Sequence, residues 1–260
     1  MKLGCDPELF LVDHQGRLVS SIGKIGGSKE FPAALPIGKG FAVQEDNVAI
    51  EFNIPASGSK LAFIRNVGLA RDYLSGMVGS MGLAFSHLSA ANFPDEELKD
   101  PAALEFGCDP DFNAWTGEVN PRPCATDATL RSAGGHIHVG HKFNSPEDVL
   151  KFMRFMDLSA GVGSVLMDKD GGKRRQLYGK PGAFRLKPYG GEYRTLSNFW
   201  VFSDDTIGWA WDATAWAMDA WQNNKINIDE LRDPIIQCIT DDNKGLAQEL
   251  VKTYNIPVLQ

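Results

Sequence analysis

Nothing in the sequence marks a membrane or a nucleic acid as a partner. The 260 residues contain no apolar run long enough for a signal peptide or a membrane span. Acidic residues outnumber basic ones by 33 to 26, and the resulting net charge of -7 argues against a broad basic surface. We therefore expect a cytoplasmic protein without membrane contacts or broad nucleic-acid binding, whose oligomeric state the sequence leaves open.

Several common catalytic and metal-binding motifs are also missing. The four cysteines form no C-x-x-C pair, which disfavours a thiolate zinc site or a redox motif. The chain has no Walker A motif, no Gly-x-Gly-x-x-Gly after a strand and no Gly-x-Ser-x-Gly elbow. These absences disfavour P-loop enzymes, Rossmann enzymes and serine hydrolases.

Composition and residue patterns predict one α+β domain over residues 1–260. Apolar residues make up 43% of the chain and charged residues 23%, as in ordinary soluble globular proteins. Strand-like runs alternate irregularly with helices, two of which begin after serine caps, and this favours a largely antiparallel sheet backed by helices. The runs are 8–13, 18–20 and 48–54, one helix is predicted over 59–80 from its apolar spacing, and the caps of the other two are Ser145 and Ser203.

The stretch "GGHIHVGH" at 134–141 holds three of the five histidines. In a strand, His136 and His138 project from one face while Ile137 and Val139 pack into the core. Alone the pattern is a weak metal signal, because strand histidines are at least as often satisfied by neighbouring carbonyl groups. A metal site therefore needs carboxylates from other strands.

Such carboxylates occur in three strand-like settings: Asp6, Glu8, Glu45, Asp46, Glu51 and Glu192. Carboxylates with one or two histidines suit Mg²⁺ or Mn²⁺ better than structural zinc. Basic residues concentrate in one stretch of the otherwise acidic chain, where a magnesium-bound phosphate donor needs them. They are Lys173, Arg174, Arg175, Lys180, Arg185, Lys187 and Arg194.

A short near-repeat joins "GCDPE" at 4–8 and "GCDPD" at 107–111. Asp-Pro is common in turns, so the pair fits two similar entries into strands. A duplicated ligand loop is the alternative.

Taken in order, "GCDPELFLVD", "QEDNVAIEFNIPAS", "GGHIHVGH" and "GEYRTLSNFW" resemble the metal-binding strands of the glutamine synthetase and glutamate-cysteine ligase superfamily. The resemblance is to its phage-type carboxylate-amine ligases, called COOH-NH2 ligase type 2. It implies a curved antiparallel sheet that forms a catalytic funnel, backed by helices, which holds ATP and two divalent ions. The four motifs run from Gly4 to Trp200 and so cover most of the chain.

The resemblance also implies roles for individual residues. One ion is held by Glu8, Glu51 and either Glu45 or Asp46, and the other by Asp6, His136 and Glu192. His138 then lies near the carboxylate substrate, and Arg194 faces the transferred phosphate. Nucleotide phosphates are bound by Arg174, Arg175, Lys180 and Arg185. Arg131 binds a substrate carboxylate or is a plain surface arginine.

The implied activity is ligation of a carboxylate to an amine, dependent on ATP and Mg²⁺ with Mn²⁺ as the alternative, through an acyl phosphate. The substrates are small-molecule or peptide carboxylates and amines whose identity the sequence leaves open. Two other interpretations remain. One is a metal-dependent hydrolase or cupin-like oxygenase, disfavoured because His141 and Lys142 stand where cupins place a glutamate. The other is a non-catalytic phage binding protein.

Overall fold

The computed structural model describes residues 1–104, 111–121, 127–175 and 177–259. The second GCDP motif, with Cys108, and also Cys124 lie outside these ranges. The strands are β1 (Lys2–Cys5), β2 (Glu8–Leu9), β3 (Leu11–Val12), β4 (Leu18–Val19), β5 (Ala33–Ala34), β6 (Ala42–Asp46), β7 (Ala49–Asn53), β8 (Ala84–Phe85), β9 (Ala90–Asn92), β10 (Phe112–Asn113), β11 (Leu130–Ser132), β12 (Ile137–Gly140), β13 (Ala183–Lys187) and β14 (Gly190–Tyr193). The α-helices are α1 (Lys60–Gly79), α2 (Pro101–Leu104), α3 (Pro146–Met156), α4 (Val162–Met167), α5 (Gly171–Arg175), α6 (Asp204–Asn223), α7 (Arg232–Thr240) and α8 (Lys244–Tyr254).

The three predicted helices each begin after a serine cap, as predicted at Ser145 and Ser203, and Ser59 caps the helix predicted over 59–80. Each serine hydroxyl accepts a hydrogen bond from a backbone N–H three residues on, at Ala62, Asp148 and Thr206. This contact satisfies one of the N–H groups that a helix start leaves without a partner. The helix predictions are therefore confirmed at α1, α3 and α6.

The strands pair antiparallel in the described part of the chain, as predicted, and form four sheets. The largest has the order β1-β12-β14-β13-β10, and the next has the order β2-β7-β6-β5. The single strand predicted over 8–13 is wrong, because it breaks at Phe10. That side chain is fully buried in edge-on contact with Phe93, so β2 joins β7 while β3 pairs with β4 in another sheet.

The helices pack on one face of the five-stranded sheet, where α3 contacts β13 and β14 and α6 lies against α1 and α3. Three tryptophans of α6 pack into the core: Trp209 is buried, and Trp216 and Trp221 lie half-buried against it. Among the residues described, no helix is long and apolar enough to cross a membrane. The opposite face of the sheet is left for polar side chains.

Candidate active site

Strand register aligns one row of polar residues across the five-stranded sheet. His138 lies opposite Glu192, and Glu192 lies opposite Arg185. Directly opposite residues share a face of an antiparallel sheet, so the three side chains project together. Ile137 and Val139 point the other way and are fully buried, as the alternation predicts.

A second row crosses the four-stranded sheet. Glu8 lies opposite Glu51, and Glu51 lies opposite Gln44, whose amide donates a 2.9 Å hydrogen bond to the Glu51 carboxylate. The neighbours of Glu51 along β7, Ile50 and Phe52, are fully buried on the other face. The predicted core and polar faces of this strand are therefore confirmed.

Asp6 connects the two rows, because the chain passes from β1 to β2 through Asp6-Pro7. Both rows face one cavity of about 270 Å³. Its wall includes Asp6, Glu8, Asp46, Glu51, His136, His138, Arg185, Lys187 and Arg194. The structure thus brings together residues from all four motifs that the sequence singled out.

The glycines before the histidines are required by close packing. A Cβ atom at Gly134 would lie 2.4 Å from Nε2 of His136, and one at Gly135 would lie 2.3 Å from the carbonyl oxygen of Ser197. The indole of Trp200 donates to the Gly135 carbonyl oxygen at 3.0 Å. This contact anchors the segment that leads into the histidine strand.

Asp6, His138 and Glu192 form a first group, here called the histidine cluster, whose ligand atoms lie within 4.8 Å of one another. Burial would raise the pKa of Asp6, but His138 and His136 outweigh it and hold that pKa well below its usual range. Burial lowers the pKa of His138, yet Asp6 and Glu192 raise it overall. The distance from His138 Nε2 to Asp6 Oδ1 is 3.1 Å. The charges of His138 and the two carboxylates therefore stabilise one another.

Glu192 is ionised in this environment. Burial and Asp6 raise its pKa, but Arg194, His136 and His138 outweigh them and lower the pKa of Glu192 to about 2. Lys187 Nζ lies 2.7 Å from Glu192 Oε2, and Arg194 contacts the other oxygen.

Glu8, Asp46 and Glu51 form a second group, the carboxylate cluster, whose ligand atoms also lie within 4.8 Å of one another. Burial, followed by Asp46, raises the pKa of Glu8 to about 7. Burial and the neighbouring acids Asp6, Asp46 and Glu8 raise the pKa of Glu51 well above its ordinary value. Burial also raises the pKa of Asp46. Burial and mutual repulsion thus favour the protonated forms of these three acids, and a bound cation would oppose that effect.

Both clusters fit hard divalent cations. Each offers mainly carboxylate oxygens, which Mg²⁺ and Mn²⁺ prefer, and the histidine cluster adds one imidazole nitrogen. His136, the histidine assigned to an ion by the resemblance, stands beside this cluster with Nδ1 3.3 Å from Asp6 Oδ1. Burial and the charge of Arg194 lower the pKa of His136 to about 4, so its ring is neutral.

The structure places Glu45 away from the cavity. Adjacent strand residues point to opposite faces, and on β6 it is Asp46 that joins the carboxylate cluster. The Glu45 carboxylate accepts hydrogen bonds of 2.8–2.9 Å from the backbone N–H groups of Gly23, Ile25 and Gly26. Partial burial raises its pKa, but these donors lower it overall.

Of the four residues assigned to nucleotide phosphates, Arg185 lines the cavity and the other three do not. Arg174 is buried and donates to the carbonyl oxygens of Thr195 and Arg194. Arg175 pairs with Asp242 at 2.6 Å and, with Lys180, borders a separate cavity. Their proximity in sequence is lost because the chain folds back between α5 and β13.

Arg131 is buried and braces the fold. It donates to the backbone carbonyl oxygens of Ala103, Ala128 and Leu130, so it is neither a surface arginine nor a residue of the cavity wall.

Four further residues of the cavity wall were not predicted from the sequence: Lys29, Pro32, Gln44 and Asn53. Gln44 and Asn53 share faces with Asp46 and Glu51 by strand alternation, so a correct β6–β7 register would have found them. Lys29 comes from the Gly-rich loop before β5, for which periodicity gives no signal.

The raised pKa values predict that divalent ions displace protons. At pH 6.5 we expect Mg²⁺ binding at the carboxylate cluster to release protons, because the pKa of Glu8 is raised to about 7 and that of Glu51 is also raised. Calorimetric titrations in buffers of different ionisation enthalpy measure this release. The contribution of Glu8 should be lost at pH 9, well above its pKa. Equal heats in all buffers at pH 6.5 would contradict the prediction.

Part of the chain is similar to a known protein family. Residues 125–237 match the sequence model of the phage phiEco32-like COOH.NH2 ligase-type 2 family. This segment contains "GGHIHVGH" and "GEYRTLSNFW", so the match confirms the resemblance drawn from the motifs. The two N-terminal motifs precede the matched segment and are joined to it through the shared cavity. No curated protein matches the chain.

Proposed function

From its place in the phage-type carboxylate-amine ligase family, carried by residues 125–237, we propose that the protein forms amide bonds using ATP and Mg²⁺. The observation that carries this proposal is the arrangement around one cavity. Two groups suited to divalent ions face it together with the basic side chains Arg185, Lys187 and Arg194. A nucleoside triphosphate with bound divalent ions needs this combination of carboxylates for the ions and basic side chains for the phosphates.

The proposed reaction proceeds in two displacements. A substrate carboxylate oxygen attacks the γ-phosphorus of ATP, and the bond from phosphorus to the ADP oxygen breaks. The amine nitrogen then attacks the acyl carbon of the acyl phosphate, and phosphate departs with the electron pair of the C–O bond. The nitrogen loses one proton, and an amide remains.

The residues of the cavity divide this work. Divalent ions held by the two clusters would withdraw negative charge from the phosphate oxygens. Arg194 and Lys187 bring fixed positive charge to the Glu192 side of the cavity, where charge develops during transfer. His138 and Asp6 orient each other, and Tyr189 holds the far side of the ring with its hydroxyl 3.0 Å from His138 Nδ1.

These contacts revise two proposed roles. His138 takes the ion-ligand role with Asp6 and Glu192, and Asp46 replaces Glu45 as the middle ligand of the other ion. Arg185 remains the proposed phosphate contact among the four basic residues first considered. The substrates are a small-molecule or peptide carboxylate and an amine.

The test is release of phosphate from ATP in the presence of Mg²⁺ and a panel of amino acids and amines, with amide products followed by mass spectrometry. We expect phosphate release that requires both a carboxylate and an amine, and one new amide per phosphate. Phosphate release that is independent of both substrates would indicate a hydrolase and contradict the proposal. So would absence of nucleotide binding with Mg²⁺ present.

A further inference from the structure

Glu45 ties a loop to the edge of the four-stranded sheet. One carboxylate oxygen accepts from the N–H groups of Ile25 and Gly26, both at 2.8 Å, and the other accepts from Gly23 at 2.9 Å. This one carboxylate therefore accepts hydrogen bonds from three backbone N–H groups of the loop. Such charge-assisted hydrogen bonds are about twice as strong as neutral ones.

The loop continues into a tightly packed turn. Gly27 has φ +77°, and a Cβ atom there would lie 2.4 Å from the carbonyl oxygen of Val43. The Ser28 N–H then donates to the Phe31 carbonyl oxygen at 3.1 Å, and the Phe31 N–H donates to the Ser28 hydroxyl at 3.2 Å. Lys29 sits between these paired residues, so its backbone position is fixed by the turn.

Lys29 lines the same cavity as the carboxylate cluster, and its charge acts on the Asp46 carboxylate. Arg185 and Lys187 line this cavity as well. A cation beside a group suited to divalent ions is placed to meet the outer oxygens of an anion that such an ion coordinates.

We propose that Lys29 binds the phosphate or carboxylate oxygens of an anionic ligand held at the carboxylate cluster, and that Glu45 is the positioning residue that presents Lys29 to it. The identity of that ligand as ATP or an acidic substrate rests on the proposed function. The hydrogen bonds from the loop to Glu45 and the position of Lys29 at the cavity do not depend on the proposed function.

The chain offers matched variants for a test. Lys29→Ala removes the proposed contact, Lys29→Arg keeps the charge, and Lys24→Ala removes the same charge from an exposed neighbour on the same loop. Glu45→Gln keeps the shape of the side chain, but its amide group cannot accept from all three N–H donors. The probes are Mn²⁺ alone, then pyrophosphate, ATP and L-glutamate, each with Mn²⁺.

We expect Mn²⁺ alone to bind wild type, Lys29→Ala and Glu45→Gln within twofold of one another. Pyrophosphate or ATP should bind about 10-fold more weakly to both variants, and the double variant should be no weaker than Lys29→Ala. Lys29→Arg should recover most of the affinity, and Lys24→Ala should match wild type. Hydrogen exchange at residues 23–26 should quicken in Glu45→Gln. An effect confined to L-glutamate would identify the carboxylate as the source of the anion.

Two results would overturn the inference. Loss of affinity for Mn²⁺ alone in Glu45→Gln, to the level of Glu51→Gln, would make Glu45 a metal ligand. Equal anion binding by Lys29→Ala and Lys24→Ala would remove Lys29 from the site. If wild type binds pyrophosphate as expected but not ATP, the proposed function fails while this inference stands. If no anionic probe binds, the role of Lys29 fails as well.

Discussion

Glu192→Gln should lower ligase turnover by about 1,000-fold, the upper range for loss of one preorganised electrostatic group. Glu192 is fully buried and ionised, with Lys187 and Arg194 against its two oxygens. The amide removes the negative charge that holds these cations at the cavity and that a divalent ion requires. Turnover is measured as phosphate release at saturating ATP, and Mn²⁺ affinity is measured separately.

The control for this variant is Glu249→Gln, which makes the same change on an exposed face of α8. We expect it to retain full turnover. Glu192→Gln should keep its circular dichroism spectrum, because its neighbours on β14 remain paired to β12 and β13. A folded Glu192→Gln protein with turnover within a few-fold of wild type would sink the proposed ligase mechanism.

Glu51→Gln should make the metal-free protein more stable while weakening its response to Mg²⁺. Burial and the charges of Asp6, Asp46 and Glu8 hold the pKa of Glu51 well above 4.5. A glutamine keeps the acceptor for Gln44 and relieves the repulsion. We expect a gain of about 1–2 kcal/mol at pH 8, or a rise in Tm of about 3–6 °C.

The pH dependence of this gain has a defined sign. A group whose pKa is raised by folding contributes stability below its unfolded pKa, and that stability is lost as pH rises through the folded value. The advantage of Glu51→Gln should therefore shrink toward pH 4.5, where wild type carries the proton. Thermal melts with EDTA and with millimolar Mg²⁺ provide the measurement, with exposed Glu118→Gln as the control. Mg²⁺ should raise the Tm of wild type more than that of Glu51→Gln, and equal shifts would contradict the prediction.

Several helices and strand faces of this structure could be predicted from local signals in the sequence. The predicted serine caps located α3 and α6, helical spacing located α1, and the two-residue period of β7 and β12 separated core side chains from cavity side chains. These features depend on neighbours a few residues apart, which is why they can be read without tertiary contacts.

Local signals could not predict whether Glu45 or Asp46 faces the cavity. The turn at Asn47, with φ +55°, sets Asp46 opposite Ala49 and Gln44 opposite Glu51. A one-residue change of register would reverse which acid faces the cavity. Composition does not fix that register.

The break at Phe10 and the separation of Arg175 from Arg185 depend on long-range packing. Phe10 meets Phe93, more than eighty residues away in sequence, and Arg175 meets Asp242. Neither partner is signalled by local periodicity.

The Asp6-Pro7-Glu8 tripeptide sets a length scale for the whole site. Asp6 belongs to the histidine cluster and Glu8 to the carboxylate cluster. The ring of Pro7 between them fixes its own φ angle. Two residues of extended chain span about 7 Å, so the tripeptide limits the distance between the backbone positions that supply the two clusters. This covalent link limits how far the two sheets can carry their clusters apart, and an insertion here would increase the distance between the clusters while leaving each one intact.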